Sequence, residues 1–244
     1  MRGVSGAILI MARAPRPGAC KTRLEPLLSA DGCAALQAQL IRHTAEWAHA
    51  SGRPVWVAFD PPDAKPQLAA LVPATVALFA QQGCDLGERL THAVAHVAFK
   101  HTGPLTVLGT DSPTLDARDV DALELVLEGG WDAGLIGAHD GGYAAIALAR
   151  PAPGAFALPV QLWGGPHVLQ STLDLLRRDG LSAAVLDAVH DLDTPADAAR
   201  LLQSGFCPPA IRPLLTRPTR TAGVTQMIGS SHPQIQRRLH VRSA

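Results

Sequence analysis

The chain has 244 residues, 47% of them hydrophobic, with four cysteines and a formal net charge of zero. This length suits one α/β domain with at most a tail, and it can bury a core without disulfides or a structural metal. The apolar content excludes global disorder, and the scattered cysteines (Cys20, Cys33, Cys84, Cys207) form no CxxC pair, which excludes a zinc ribbon or a redox dithiol and fits a reducing compartment.

The first apolar run, Ala7 to Ala12, is short and unbroken, as a strand buried on both faces reads. It is too short for a signal peptide or a membrane span, and a basic loop follows at once, so the expectation is a cytoplasmic protein with no membrane partner. That loop, Arg13 to Arg23, is rich in Pro, Gly and basic residues. Apolar residues at helical spacing then cover Ala30 to Ala50. Val55 to Phe59 reads as a second strand, Ala64 to Leu71 as a short helix and Val76 to Ala80 as a third strand. A helix over Leu86 to Phe99, a strand over Leu105 to Gly109 and a helix over Ala117 to Leu127 follow. Ala133 to Ala138 and Ala144 to Leu148 read as strands flanking Asp140-Gly141-Gly142-Tyr143, then Val168 to Arg178 as a helix and Ala183 to Leu186 as a last strand. Thr194, Pro195 and Asp197 make a helix start: a capping hydroxyl, a proline at the first helical position and an acid at the positive end of the dipole. Alternating strands and helices predict an α/β fold with a mostly parallel sheet and helices on both faces.

From Gly205 the pattern fails, punctuated by Pro208, Pro209, Pro213 and Pro218. No Asp or Glu follows Asp197, whereas seven arginines do: Arg200, Arg212, Arg217, Arg220, Arg237, Arg238 and Arg242. The expected division is a folded body over residues 1–204 and a basic tail over 205–244, either solvated or docked on a second subunit in a homodimer. The tail has no interleaved aromatics for base stacking, so no nucleic-acid partner is expected.

Ligands of open α/β sheets sit beyond the carboxyl ends of the strands, and this chain places its unusual polar residues there. In the first loop Ala12, Arg13 and Gly18 offer backbone approach and charge, while Lys21 and Arg23 supply a compact ammonium and a guanidinium fork, both suited to a polyphosphate. The loop lacks the GxxxxGK[ST] pattern of a Walker loop. Gly83, Asp85, Gly87 and Arg89 mark a loop-to-helix junction where backbone N–H groups can meet an anion or a base. Asp111, after the strand ending at Gly109, is a candidate for Mg²⁺ or Mn²⁺, and Asp191 and Asp193 are candidates for a second carboxylate. Asp140 beside two glycines serves an acceptor or a hairpin turn. Against each stands a structural reading as a turn, cap or surface charge. Cys20 reads as a plain loop cysteine, and Trp163 as the tryptophan most suited to line a site. GxSxG, HExxH and GxGxxG are all absent, which argues against a serine hydrolase, a zinc protease and a dinucleotide-dependent dehydrogenase.

The ordered motifs MARAPRPGACKTRL, QQGCDLGERL, GTDSP, HDGGY and DLDTPADAARL resemble those of the bacterial transferases described as radical-SAM/selenodomain-associated. That resemblance covers about residues 7 to 203 and implies a glycosyltransferase-A fold. A more distant likeness is to phospholactate guanylyltransferase-type nucleotidyltransferases, with their Lys-(Ser/Thr)-Arg-Leu loop. It implies that Lys21 and Arg23 hold phosphates, that Gly83, Asp85 and Gly87 lie near the base or ribose, and that Asp111 binds metal with help from Asp191 or Asp193. Two departures stand out: Ala144 and Ala145 after Tyr143, and Trp163-Gly164-Gly165-Pro166 where the family carries hydroxyls.

The resulting expectation is a divalent-metal-dependent, nucleotide-utilising transferase. Nucleotidyl transfer from an NTP to a small anionic acceptor comes first. Glycosyl transfer from a nucleotide-sugar is the alternative, and the single acid in Thr110-Asp111-Ser112-Pro113, in place of Asp-x-Asp, weighs against it. A catalytically degenerate nucleotide-binding protein is the third reading, motivated by the two departures.

Overall fold

The computed structural model describes residues 6–216. Seven strands form one sheet in the order β3-β2-β1-β4-β6-β5-β7: β1 (Ala7–Arg13), β2 (Val55–Asp60), β3 (Ala77–Ala80), β4 (Leu105–Leu108), β5 (Ala133–Ala138), β6 (Tyr143–Leu148) and β7 (Ala183–Val189). All neighbours pair in parallel except β6, which runs antiparallel to both β4 and β5. Six strands therefore point their carboxyl ends the same way, and the loops that follow them gather along one edge of the sheet.

Alternation along the central strand divides the core. Ile8, Ile10 and Ala12 face a cluster with Ile41, Ala45 and Ala48 of α1 (Glu25–Ala50), Leu68 of α2 (Lys65–Ala69), and Val120 and Leu123 of α4 (Ala117–Glu128). Ala7 and Leu9 face the opposite cluster, with Leu90, Val94 and Val97 of α3 (Leu86–Ala98), Leu176 of α5 (Val168–Arg178) and Phe156. Helices thus cover both faces, which is why the strands read as unbroken apolar runs. No described helix is long and apolar enough to cross a membrane.

The structure differs from the expected elements mainly at their ends. Helix α1 begins at Glu25, with Pro26 in its first turn, and a non-helical Ser29 (φ 64°, ψ 169°) divides that turn from the rest. Strand β7 runs on to Val189 because a register shift in β5 lets Ala138 pair with Val189.

Where a tail was expected from residue 205, the folded body continues. Cys207, Ile211 and Leu215 are buried in a third cluster with Leu24, Leu36 and Leu40, and with Ala198 and Leu201 of α6 (Pro195–Gln203). The Pro208 carbonyl accepts the turn hydrogen bond from the Ile211 N–H, Pro213 falls in the first turn of α7 (Arg212–Leu215), which packs on α1, and Pro218 lies outside the described residues. Arg217, Arg220, Arg237, Arg238 and Arg242 lie outside the described residues. Ile211 is fully buried, so Ile211→Ala should lower stability by about 2–5 kcal/mol in a urea titration, the usual cost of such a truncation in a core. A solvated tail would leave the midpoint unchanged.

Candidate functional site

The edge formed by the carboxyl ends of the parallel strands is fastened by two buried or partly buried amides. Gln37, projecting from the middle of α1, donates to the Arg13 carbonyl and the Thr110 hydroxyl, both at 3.2 Å. Gln81 donates to the carbonyls of Ala58 at 2.8 Å and Ala12 at 3.4 Å. The ends of β1, β2 and β4 are thereby held in register by two side-chain amides. Sequence reading passed over both glutamines. Gln37 left a trace, a polar residue among Ala34, Leu36, Leu40 and Ile41 on the apolar stripe of a helix.

At the centre lies the Lys21 ammonium. Its side chain is only 4% exposed, and its Nζ is 2.6 Å from Asp111 Oδ1, 2.8 Å from Asp193 Oδ1 and 2.9 Å from the Leu192 carbonyl oxygen. Three oxygens thus meet an ammonium that has three protons. Burial alone would push the lysine down, but Asp111 and Asp193 more than offset it, and its pKa ends above the ordinary lysine value. The backbone of Lys21 is left-handed (φ 50°, ψ 35°), a conformation that costs a non-glycine residue free energy and that the surrounding contacts must hold. The Leu192 N–H donates to the Asp111 carbonyl at 2.8 Å, so the loop after β4 and the loop after β7 are joined by backbone as well as by charge.

Asp191 sits beside this pair, partly buried, and accepts a short hydrogen bond from the Ser112 hydroxyl. Its pKa is raised to about 6, first by burial and then by the charges of Asp111, Asp140 and Asp193, with the Ser112 hydrogen bond opposing. Four carboxylates and one lysine leave the cluster with excess negative charge. Asp111 and Asp193, 53% and 40% exposed, each keep a second carboxylate oxygen without a partner among the described residues. A Mg²⁺ ion takes one or two carboxylates and completes its shell with phosphate oxygens and water, and this donor set fits that mode. It does not form a closed protein cage: among the described residues, no three His, Cys, Asp or Glu side chains are placed to hold one ion together.

The first loop presents the other charges. Arg13 and Arg23 are both exposed and form no ion pair among the described residues, whereas Arg16 is paired with Asp63 at 2.8 Å. Gly18 has φ 73° and open space around its α-carbon. The Cys20 thiol is pushed up by burial against the pull of Lys21 and Arg13, in keeping with a plain loop cysteine.

The junction before α3 is occupied by its own residues. Asp85 caps the helix by accepting from the Glu88 N–H at 2.9 Å, the Glu88 carboxylate accepts from the Cys84 N–H at 2.8 Å, and Arg89 reaches the Gly83 carbonyl at 3.1 Å and Asp60 at 3.0 Å. A side chain at Gly87 would meet the Trp163 indole nitrogen and the Phe156 carbonyl within 2.9 Å. That indole N–H is buried with no partner among the described residues, as is the Tyr143 hydroxyl. Asp140 accepts from the Gly142 N–H at 2.9 Å and shapes the β5–β6 hairpin. Gly141 has φ 94°, and a side chain there would overlap the Pro166 carbonyl. The hairpin that leads into Ala144 and Ala145 therefore meets the Trp163 to Pro166 segment at Gly141 and Pro166.

A separate, mainly apolar hollow of about 260 Å³ borders Asp191, lined by Pro113, Ala188, Leu192, Leu201 and Phe206 with Arg200 and His190.

This architecture is that of the nucleotide-diphospho-sugar transferases and cytidylyltransferases. Residues 43–159 match the family described as "Uncharacterized protein conserved in bacteria (DUF2064)". A solved structure from Desulfovibrio desulfuricans G20, provisionally called a nucleotide-diphospho-sugar transferase, is 26% identical with a TM-score of 0.75, covering 82% of this chain and 87% of that one. CMP:2-keto-3-deoxy-manno-octonic acid synthetase in complex with CTP is 18% identical (TM-score 0.50; 81% of this chain, 97% of that one). 4-diphosphocytidyl-2C-methyl-D-erythritol synthase is 13% identical (TM-score 0.52; 81% and 96%). No curated protein matches the sequence.

The raised pKa of Asp191 carries a stability consequence. Its native value lies above the ordinary 3.8, so the native state bears no penalty below that pH and the full penalty above about pH 6. With a chelator present, Asp191→Asn should stabilise the protein at pH 7.5 by about 2–3 kcal/mol. The gain should shrink as pH falls through that window. A destabilised variant at pH 7.5 would show that the Asp191 charge is held by partners rather than merely tolerated.

Proposed function

We propose that the protein is a metal-assisted transferase that binds a nucleotide over the first loop and moves its nucleotidyl group to a small anionic acceptor. The observation that carries this reading is the joining of Lys21, Asp111 and Asp193 at the carboxyl ends of β1, β4 and β7, with two arginines in the adjoining loop that form no ion pair among the described residues. Ligands of such sheets bind at that edge. The named activities of the solved structures, two of which are a CMP-sugar synthetase and a diphosphocytidyl synthase, support the reading without fixing the base.

Phosphoryl chemistry is mostly positioning and charge stabilisation. An acceptor oxygen attacks the α-phosphorus, and pyrophosphate leaves with the bonding electrons. Arg13 and Arg23 neutralise charge on the leaving pyrophosphate, and open space at Gly18 lets a phosphate approach the loop backbone. Asp111 and Asp193 would hold Mg²⁺, which supplies Lewis-acid neutralisation of phosphate charge. Asp140 and the adjoining hairpin face the acceptor, consistent with the placement of Asp140 within electrostatic reach of Asp191.

Glycosyl transfer from a nucleotide-sugar is the second reading, favoured by the description of the Desulfovibrio structure. The products separate the two: pyrophosphate release marks nucleotidyl transfer, and nucleoside diphosphate release marks glycosyl transfer. Thermal melting of the full chain against NTPs and nucleotide-sugars, with and without Mg²⁺, should show one ligand that raises the midpoint only with the metal, by mass action on the folded state. Arg23→Ala should weaken that ligand about tenfold, the cost of one charge-assisted contact. Equal midpoints with every ligand at millimolar concentration would remove the proposal.

A further inference from the structure

We infer that Lys21 is not a phosphate ligand but the site's built-in counter-ion, a positioning residue that holds Asp111 and Asp193 together and limits how tightly the free protein takes a divalent metal. The resembled family assigns the loop lysine to phosphate, and the geometry here argues otherwise. All three ammonium protons have an oxygen within 2.9 Å, and the side chain is 4% exposed where Arg13 and Arg23 nearby are open. In the metal-free protein Lys21 could reach a phosphate only by leaving two carboxylates and a carbonyl, which would strand Asp111 and Asp193 beside Asp191 until a metal ion took the place of the ammonium.

The left-handed backbone at Lys21 turns the loop so that the side chain points inward under it, and the Cys33 thiol donates to the Lys21 carbonyl at 3.2 Å, fixing that turn on α1. Lys21 then supplies one positive charge permanently. The two carboxylates keep one unpartnered oxygen each, enough for a single metal arriving with a nucleotide and too little for tight capture of metal alone. This inference rests on the transferase reading only for the nucleotide; the metal and labelling measurements are independent of it.

Two experiments on the full chain test it. The first is reductive methylation of the free protein, read by mass spectrometry. The chain has three lysines; Lys65 and Lys100 are exposed and should label, whereas Lys21 should resist labelling with or without millimolar nucleoside triphosphate. A Lys21 that labels freely and is protected by the triphosphate overturns the inference. The second is Mn²⁺ binding without nucleotide, followed by the electron paramagnetic resonance of the free ion. Lys21→Met should bind Mn²⁺ about tenfold or more tightly than the unsubstituted protein, because two carboxylates lose their internal cation in a partly desolvated site. Lys21→Met/Asp193→Asn, which restores the charge balance, should return the affinity to near its starting value. Unchanged Mn²⁺ affinity in Lys21→Met, with nucleotide binding lost, would instead make the lysine a phosphate ligand and leave the transferase reading intact.

Discussion

A buried ammonium cannot remain charged without partners, and the whole functional edge of this protein is arranged around that constraint. Lys21 arrives from the first loop, Asp111 from the end of β4 and Asp193 from the segment after β7. These elements are separated by as many as 172 residues in sequence, and the ion pairs close only if the sheet order is correct. Glutamines 37 and 81 tie the intervening strand ends. The third core cluster sets α6 and α7 against α1 and buries Leu192 beside the same loop. The site and the fold are thus stabilised by the same contacts, and a disturbance of α6 or α7 is expected to reach the carboxylates.

Charge explains the division of labour within the site. One lysine offsets two carboxylates at short range, and a third, Asp191, pays for its burial with a pKa raised to about 6. The remaining charge at this edge is negative, which is the basis for the proposed metal-assisted reading. The exposed Arg13 and Arg23 lie in the same loop as Lys21 but form no ion pair among the described residues. A buried cation held by two carboxylates is thus set apart from exposed ones that form no ion pair among the described residues. A lysine and an arginine two positions apart in one motif therefore differ sharply in burial and in their partners.

Much of the fold was legible because the strands are buried on both faces and the helices are separated by turn residues. Ala7 to Ala12 and Ala133 to Ala138 could hardly be read otherwise. The antiparallel β6 was hidden, since a hairpin through Asp140-Gly141-Gly142 and a crossover leave similar apolar runs. The packing of Cys207, Ile211 and Leu215 was hidden too, because their prolines destroy the helical period while leaving the residues apolar. At the site, Lys21, Asp111 and Asp193 were legible as polar residues at strand ends, but their mutual contact was not. Spacing along the chain carries no information about an ion pair that spans the sheet. Gly83, Asp85 and Gly87 were read as ligand-facing, and their visible work is architectural: a cap, a tight turn and a close approach to Trp163. Gly141 shows the same physics: a side chain there would overlap Pro166.

A nucleotide is proposed to bind at the edge where Lys21, Asp111 and Asp193 meet. The most direct test is amide chemical-shift mapping of the full chain on adding Mg²⁺ with an equimolar mixture of the four ribonucleoside triphosphates. The largest shifts are expected in residues 13–24 and 110–112, with lesser ones near 81–89 and 191–193. Shifts confined to the hollow lined by Pro113, Leu201 and Phe206, or no shifts at all, would contradict binding at that edge.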